Sequence, residues 1–214
     1  MELIVIGGEN NFQECKAKFG VGHSYLHIPH ISHLPTEHNP ETVIFDFEPA
    51  DVAPYLRQAS KAVFVNSVKT TLSKLMPHTA PDHVFGFCGL PSFLNREILE
   101  TTVCRKESVS LLEKTCSQLG TKFKIVRDQA GMVTPRIICM IINEAYFAIE
   151  EDVASRTDID LAMKLGTNYP YGPFEWCEKI GIKNVYGLLK AVHEDTHDDR
   201  YKICELLKAE VLNT

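Results

Sequence analysis

The sequence predicts a chain in two parts: a reduced, Rossmann-like α/β domain on a mostly parallel sheet, then an all-α domain. Three observations predict it. Short apolar or β-branched runs alternate with helical segments through the first part. The pattern changes at Asp128-Gln129-Ala130-Gly131. From Met132 to the end no strand pattern recurs. The boundary is placed near residue 128, giving domains over 1–128 and 129–214.

Strands are expected at Leu3–Gly8, Ser24–Ile28, Thr42–Phe47, Ala62–Ser67, His83–Leu90 and Lys122–Arg127. Asp51–Ala59 and Thr70–Met76 read as helical connections, and Lys106–Leu119 as an amphipathic helix closed by Gly120. Met132–Glu150 is apolar on nearly all sides from Ile137 to Ile142, the pattern of a central buried helix. Helices around 158–165, 173–180, 183–194 and 200–212 complete the second domain.

The 214 residues suffice for one large domain or two small ones, and 44% hydrophobic with 23% charged residues is ordinary for a soluble globular chain. A balance of 22 basic against 28 acidic residues, net −6, opposes a nucleic-acid partner. No apolar run approaches the roughly 20 residues of a membrane span. The chain opens on the strand-like Glu2–Gly8 without a basic region before it, which argues against a secretory leader. The seven cysteines are scattered and form no CxxC pair, the usage of reduced thiols in a cytoplasmic protein.

The most specific stretch runs from Thr157 to Gly181, TDIDLAMKLGTNYPYGPFEWCEKIG. Thr157 with Asp160 reads as a helix-opening capping box, and Gly166 stands where a left-handed cap is wanted. Gly172 and Pro173 then open a second short helix that Gly181 closes. This stretch, following a long helix that carries Asn143-Glu144-Ala145, resembles the C-terminal helical domain of the 3-hydroxyacyl-CoA dehydrogenases. The resemblance implies NAD as cofactor, an acyl-CoA substrate and a homodimer formed through the helical domain. It covers residues 60–212 in outline, and the first 60 only as a shortened sheet.

Carried over residue by residue, the resemblance places the family's chemistry at four positions. Asn66-Ser67-Val68 matches an "NTS" segment, with Val68 in place of the serine. Gly86-Phe87-Cys88 matches the segment of the catalytic histidine, with Cys88 in its place. Glu100 retains the glutamate that orients this histidine, with Glu97 the fallback if the loop shifts. Pro135 stands where the family has an asparagine. A thiol with a pKa near 8.5 is a poor base at neutrality.

The cofactor turn is Gly7-Gly8-Glu9-Asn10-Asn11-Phe12, directly after the first strand. A dinucleotide turn needs G-x-G-x-x-G, and neither Gly7 nor Gly8 as its start supplies the second and third glycines. A carboxylate about 4 Å from a pyrophosphate charge costs on the order of 4 kcal/mol at an effective dielectric of 20. Where an acidic ribose partner belongs, the chain reads His27-Ile28-Pro29-His30. The 11 residues between His30 and Thr42 are too few for the family's CoA-embracing arm.

Two further patterns are expected to be inert. His23, His27, His30, His33 and His38 have no known ligand spacing, so no metal site is expected. His193 to His197 spells HExxH, but its flank of Asp195, Asp198 and Asp199 is that of a solvated loop. The expectation is a dehydrogenase-like binding or regulatory homologue without NAD. The alternative is an active NAD-dependent 3-hydroxyacyl-CoA dehydrogenase; thiol chemistry at Cys88 lacks a visible activating group.

Overall fold

The computed structural model describes all residues except 37, 38, 51, 57–59, 77–80 and 214. The chain divides into two compact units, Met1–Met132 and Val133–Thr214.

The first unit is a seven-stranded sheet: β1 (Glu2–Ile6), β2 (Ser24–Ile28), β3 (Val43–Asp46), β4 (Ala62–Asn66), β5 (Val84–Phe87), β6 (Ile98–Val103) and β7 (Lys122–Ile125). Their order is β2-β1-β3-β4-β5-β6-β7, and every pairing is parallel except β5 with β6. The chain leaves β1 for one flank and returns to the other as β3, so the topological switch point lies between the ends of β1 and β3.

The apolar runs of β1, β3, β4 and β5 are buried on both faces, as a covered parallel sheet requires. One face joins Leu3, Val5, Phe45, Phe64, Phe85 and Phe87 to Cys15 and Phe19 of α1 (Glu9–Phe19). The other joins Ile4, Ile6, Ile44, Val63 and Val65 to Tyr55 and to Leu72 of the short α2 (Leu72–Leu75). Helix α3 (Val109–Gln118) follows β6.

β6 was not among the expected strands. Its sequence ILETTV mixes polar and apolar residues without the all-apolar run that marks its neighbours. The connection expected over 51–59 is a 3-10 turn at Ala53–Leu56 within the described residues, and that over 70–76 shrinks to the four residues of α2.

The second unit contains α4 (Thr134–Glu150), α5 (Arg156–Thr167), α6 (Pro173–Ile180), α7 (Ile182–Thr196) and α8 (Glu205–Leu212). Helix α4 is central, but it is not buried all round. Pro135, Cys139, Ile142 and Tyr146 form its inward stripe, while Ile137 is 53% exposed. Asn143 in this helix accepts a hydrogen bond from Cys204 N at 3.0 Å and donates to Lys202 O at 2.9 Å, fixing the approach to α8.

The caps around α5 differ from the sequence expectation. Ser155, not Thr157, caps its start, accepting a hydrogen bond from Asp158 N. The helix runs through Gly166 to Asn168, which takes the left-handed conformation at φ 56°. Asp160 is instead the cap of the next helix: its carboxylate accepts Phe174 N at 2.8 Å and Glu175 N at 3.2 Å.

Candidate functional site

The turn after β1 places Gly7 and Gly8 at the switch point, opening α1. Gly7 holds φ at +144°, which a side chain would strain, and a Cβ there would lie 2.9 Å from Asn11 Oδ1 and 3.1 Å from Phe47 Cβ. Gly8 N donates to Asn11 Oδ1 at 3.0 Å, so the first free amide of the helix is taken by the chain's own side chain. Beside it His27 donates from Nε2 to Gly7 O at 2.8 Å and turns Nδ1 toward Glu9 at 3.5 Å. Phe12 stacks on the His27 ring at 4.8 Å. Asn11, Glu9, Phe12 and Phe47 thus crowd the turn between β1 and α1.

The second constellation lies at the ends of β4, β5 and β6. In the antiparallel ladder Gly86 faces Thr102 and Phe87 faces Thr101, so continuing the register sets Cys88 opposite Glu100. In the parallel ladder Asn66 faces Phe87, which brings Ser67 level with Cys88. Asn66 ties the strand ends together: its Nδ2 donates to Phe47 O at 2.9 Å and its Oδ1 accepts Gly89 N at 2.9 Å. A Cβ at Gly86 would lie 2.3 Å from Ser67 Oγ and 2.2 Å from Thr102 Oγ1, so the strand needs glycine here for room alone. Val68 is fully buried and offers no polar atom. Glu100 is half-buried on β6.

Sequence reasoning missed Arg96. Burial pulls its guanidinium below the ordinary value, opposed in turn by Cys88, Glu100 and Glu14 around it. Glu100, which has no histidine to orient, therefore has a cation within electrostatic range. No spacing rule points to Arg96, because only the course of the loop before β6 brings it there.

Pro135 lies in the second unit, buried in the first turn of α4, where a missing N–H leaves no gap in the helix ladder. That unit also carries an open cleft of about 610 Å³ lined by Tyr146, Arg156, Leu161, Lys164, Phe174 and Glu210 among others. Two ion pairs lie in its wall, Arg156 with Glu210 and Lys164 with Glu175.

Among the described residues no cluster of three metal-ligating side chains occurs. His38 lies outside them. His193 sits inside α7, whereas His197 is its left-handed cap at φ 53°, so the two do not share a helical face. No described helix is long and apolar enough to cross a membrane.

Residues 131–213 match the family model for the 3-hydroxyacyl-CoA dehydrogenase C-terminal domain. The chain is 41% identical over 95 residues to the 3-hydroxyadipyl-CoA dehydrogenase of Escherichia coli, covering 44% of this chain and 20% of that protein. It is 33% identical over 108 residues to the mitochondrial hydroxyacyl-coenzyme A dehydrogenase of Mus musculus, covering 50% of this chain and 34% of that one. The sequence match thus spans well under half of these relatives. The fold is similar to that of (S)-3-hydroxybutyryl-CoA dehydrogenase from Ralstonia eutropha, with a TM-score of 0.75, 19% identity and coverage of 99% and 93% of the two chains. M. tuberculosis FadB2 gives a TM-score of 0.78 at 15% identity, with the same coverage. The similarity thus rests on residues 131–213, which match the C-terminal domain of the 3-hydroxyacyl-CoA dehydrogenases, while over the rest of the chain the likeness is one of fold.

Proposed function

We propose that this chain is a 3-hydroxyacyl-CoA dehydrogenase homologue that neither holds NAD nor carries out the dehydrogenase reaction, and that it acts by binding. The observation that carries this reading is the turn at residues 7–12, whose amide is capped by Asn11 and whose space is taken by Phe12, His27 and Phe47. The residues present do not fit a pyrophosphate, and Glu9 would repel it.

The chemistry at the second constellation supports the same reading. Oxidation of a 3-hydroxyl needs a base within hydrogen-bond reach of that oxygen. Val68 and Cys88 supply none, and Glu100 lies with Cys88 in range of the Arg96 cation, with no imidazole to orient. Losing general-base catalysis alone costs about 10²–10⁴-fold. The function left to such a chain is recognition, of an acyl-CoA-like ligand or of a second copy through the helical unit. For a homodimer the support is apolar surface: Val133 and Ile137 on one side, Leu161 and Leu165 on α5, which buries no residue of its own.

Calorimetric titration tests the cofactor directly: NAD should bind more weakly than millimolar, and acetoacetyl-CoA should not be reduced by NADH. Cys88→His alone should not restore reduction, because the turn is unchanged. A wild-type turnover of about one per second, an ordinary enzymatic rate, would refute the proposal.

A further inference from the structure

The loop from Cys88 to Glu97 is held by two side chains of α1. The Glu14 carboxylate accepts three backbone amides: Ser92 N at 3.3 Å, Leu94 N at 3.0 Å and Asn95 N at 3.2 Å. One turn further along the helix, Lys18 Nζ donates to Arg96 O. Ser92 takes the positive φ of 72°, and between the bound amides Phe93 N donates instead to Leu90 O at 3.2 Å. Backbone amides converging on one side chain form an anion-binding concavity, and a carboxylate is the anion found in this one. The same loop ends at Arg96, whose guanidinium stacks over Phe93 at 4.5 Å and lies within electrostatic range of Cys88 and Glu100.

We propose that the amides of Ser92, Leu94 and Asn95 form a carboxylate-binding site whose resident ligand is Glu14, and that this internal ligand latches the loop against the Cys88–Glu100 pair. Hydrogen bonds from neutral amides to a carboxylate are charge-assisted and stronger than amide–amide bonds, so three of them add to the hold of the buried Leu90, Phe93 and Leu94. A free carboxylate of matching size competes for the same amides once Glu14 is gone. The site is separate from the turn at residues 7–12, so it stands whether or not the chain binds NAD.

The test uses the reactivity of Cys88, which is 4% exposed. Cys104 is the exposed cysteine and is first changed to serine. In that full-length background Glu14→Ala is treated with an aromatic disulfide, and the labelled cysteine is identified by peptide mass mapping. Cys88 should react faster by on the order of tenfold or more, the worth of one charge-assisted hydrogen bond. Buried Cys15 and Cys116 should stay protected, since burial raises both thiols, Cys116 to about 12. Formate should restore the protection of Cys88 in Glu14→Ala, and chloride at equal ionic strength should not. Should Glu14→Ala fail to fold, Glu14→Gln keeps the shape without the charge and should show an intermediate rise at Cys88. Three results would overturn the proposal: Cys88 no faster in a folded variant, Cys15 and Cys116 labelled together with it, or chloride protecting as well as formate.

Discussion

Asp46 offers a quantitative test of the sheet's electrostatics. It ends β3 with no exposed surface, its Oδ2 accepting the Tyr55 hydroxyl at 2.8 Å and its Oδ1 accepting Glu48 N at 3.0 Å. Burial pushes its carboxyl up to about 6 from an ordinary 3.8; the two donors and nearby His30 oppose this and lose. At 1.36 kcal/mol for each pKa unit the ionised group costs the fold roughly 3 kcal/mol. The sign follows from the raised value. Below the unfolded pKa, near 4, the carboxyl is protonated in both states and the fold keeps its full stability. As pH rises through about 6 that stability is lost. Asp46→Asn cannot ionise, and it forfeits one acceptor, worth about 1 kcal/mol. Urea denaturation of both proteins between pH 4 and pH 8 should show wild type falling relative to the variant by about 2–3 kcal/mol, with the variant more stable by about 1–2 kcal/mol at pH 7. Parallel curves would refute the reasoning. So would a variant less stable than wild type at pH 7, because the two hydrogen bonds would then outweigh burial.

Other predictions concern the helical unit. Asp160→Ala removes the carboxylate that caps α6 and should lower stability by about 1–2 kcal/mol, with hydrogen exchange accelerating at Phe174 and Glu175 before it does in α4. Uniform acceleration across the unit would contradict a local role. Light scattering at micromolar concentration should report a dimer, and Leu161→Glu with Leu165→Glu should shift it toward monomer. A wild-type monomer would remove the assembly proposal.

Most of the sheet was legible because β1, β3, β4 and β5 are apolar without interruption, a pattern that only a strand covered on both faces demands. β6 escaped because Glu100 and two threonines break that run, and because its neighbour on one side is antiparallel. Gly166 looked like a helix end, yet the helix continues and Asn168 reverses the chain two residues later. At the site, Val68, Cys88 and Glu100 could be named from resemblance alone, and in the structure Cys88 follows and Glu100 precedes a paired residue at the adjoining ends of β5 and β6. Arg96 and Glu14 could not. The hydrogen bond from Leu94 N to Glu14 joins residues 80 apart, and no local pattern encodes such a partner.

Gly172 shows that a glycine can be required by its neighbour's charge. Its φ of −73° is open to any residue, so the backbone makes no demand there. A Cβ, however, would fall 2.3 Å from Asp160 Cγ. A methyl group at 172 would leave its own helix start unstrained and expel the carboxylate that joins α5 to α6. The injury would then surface twelve residues upstream, in a helix left to its ion pairs at Arg156 and Lys164.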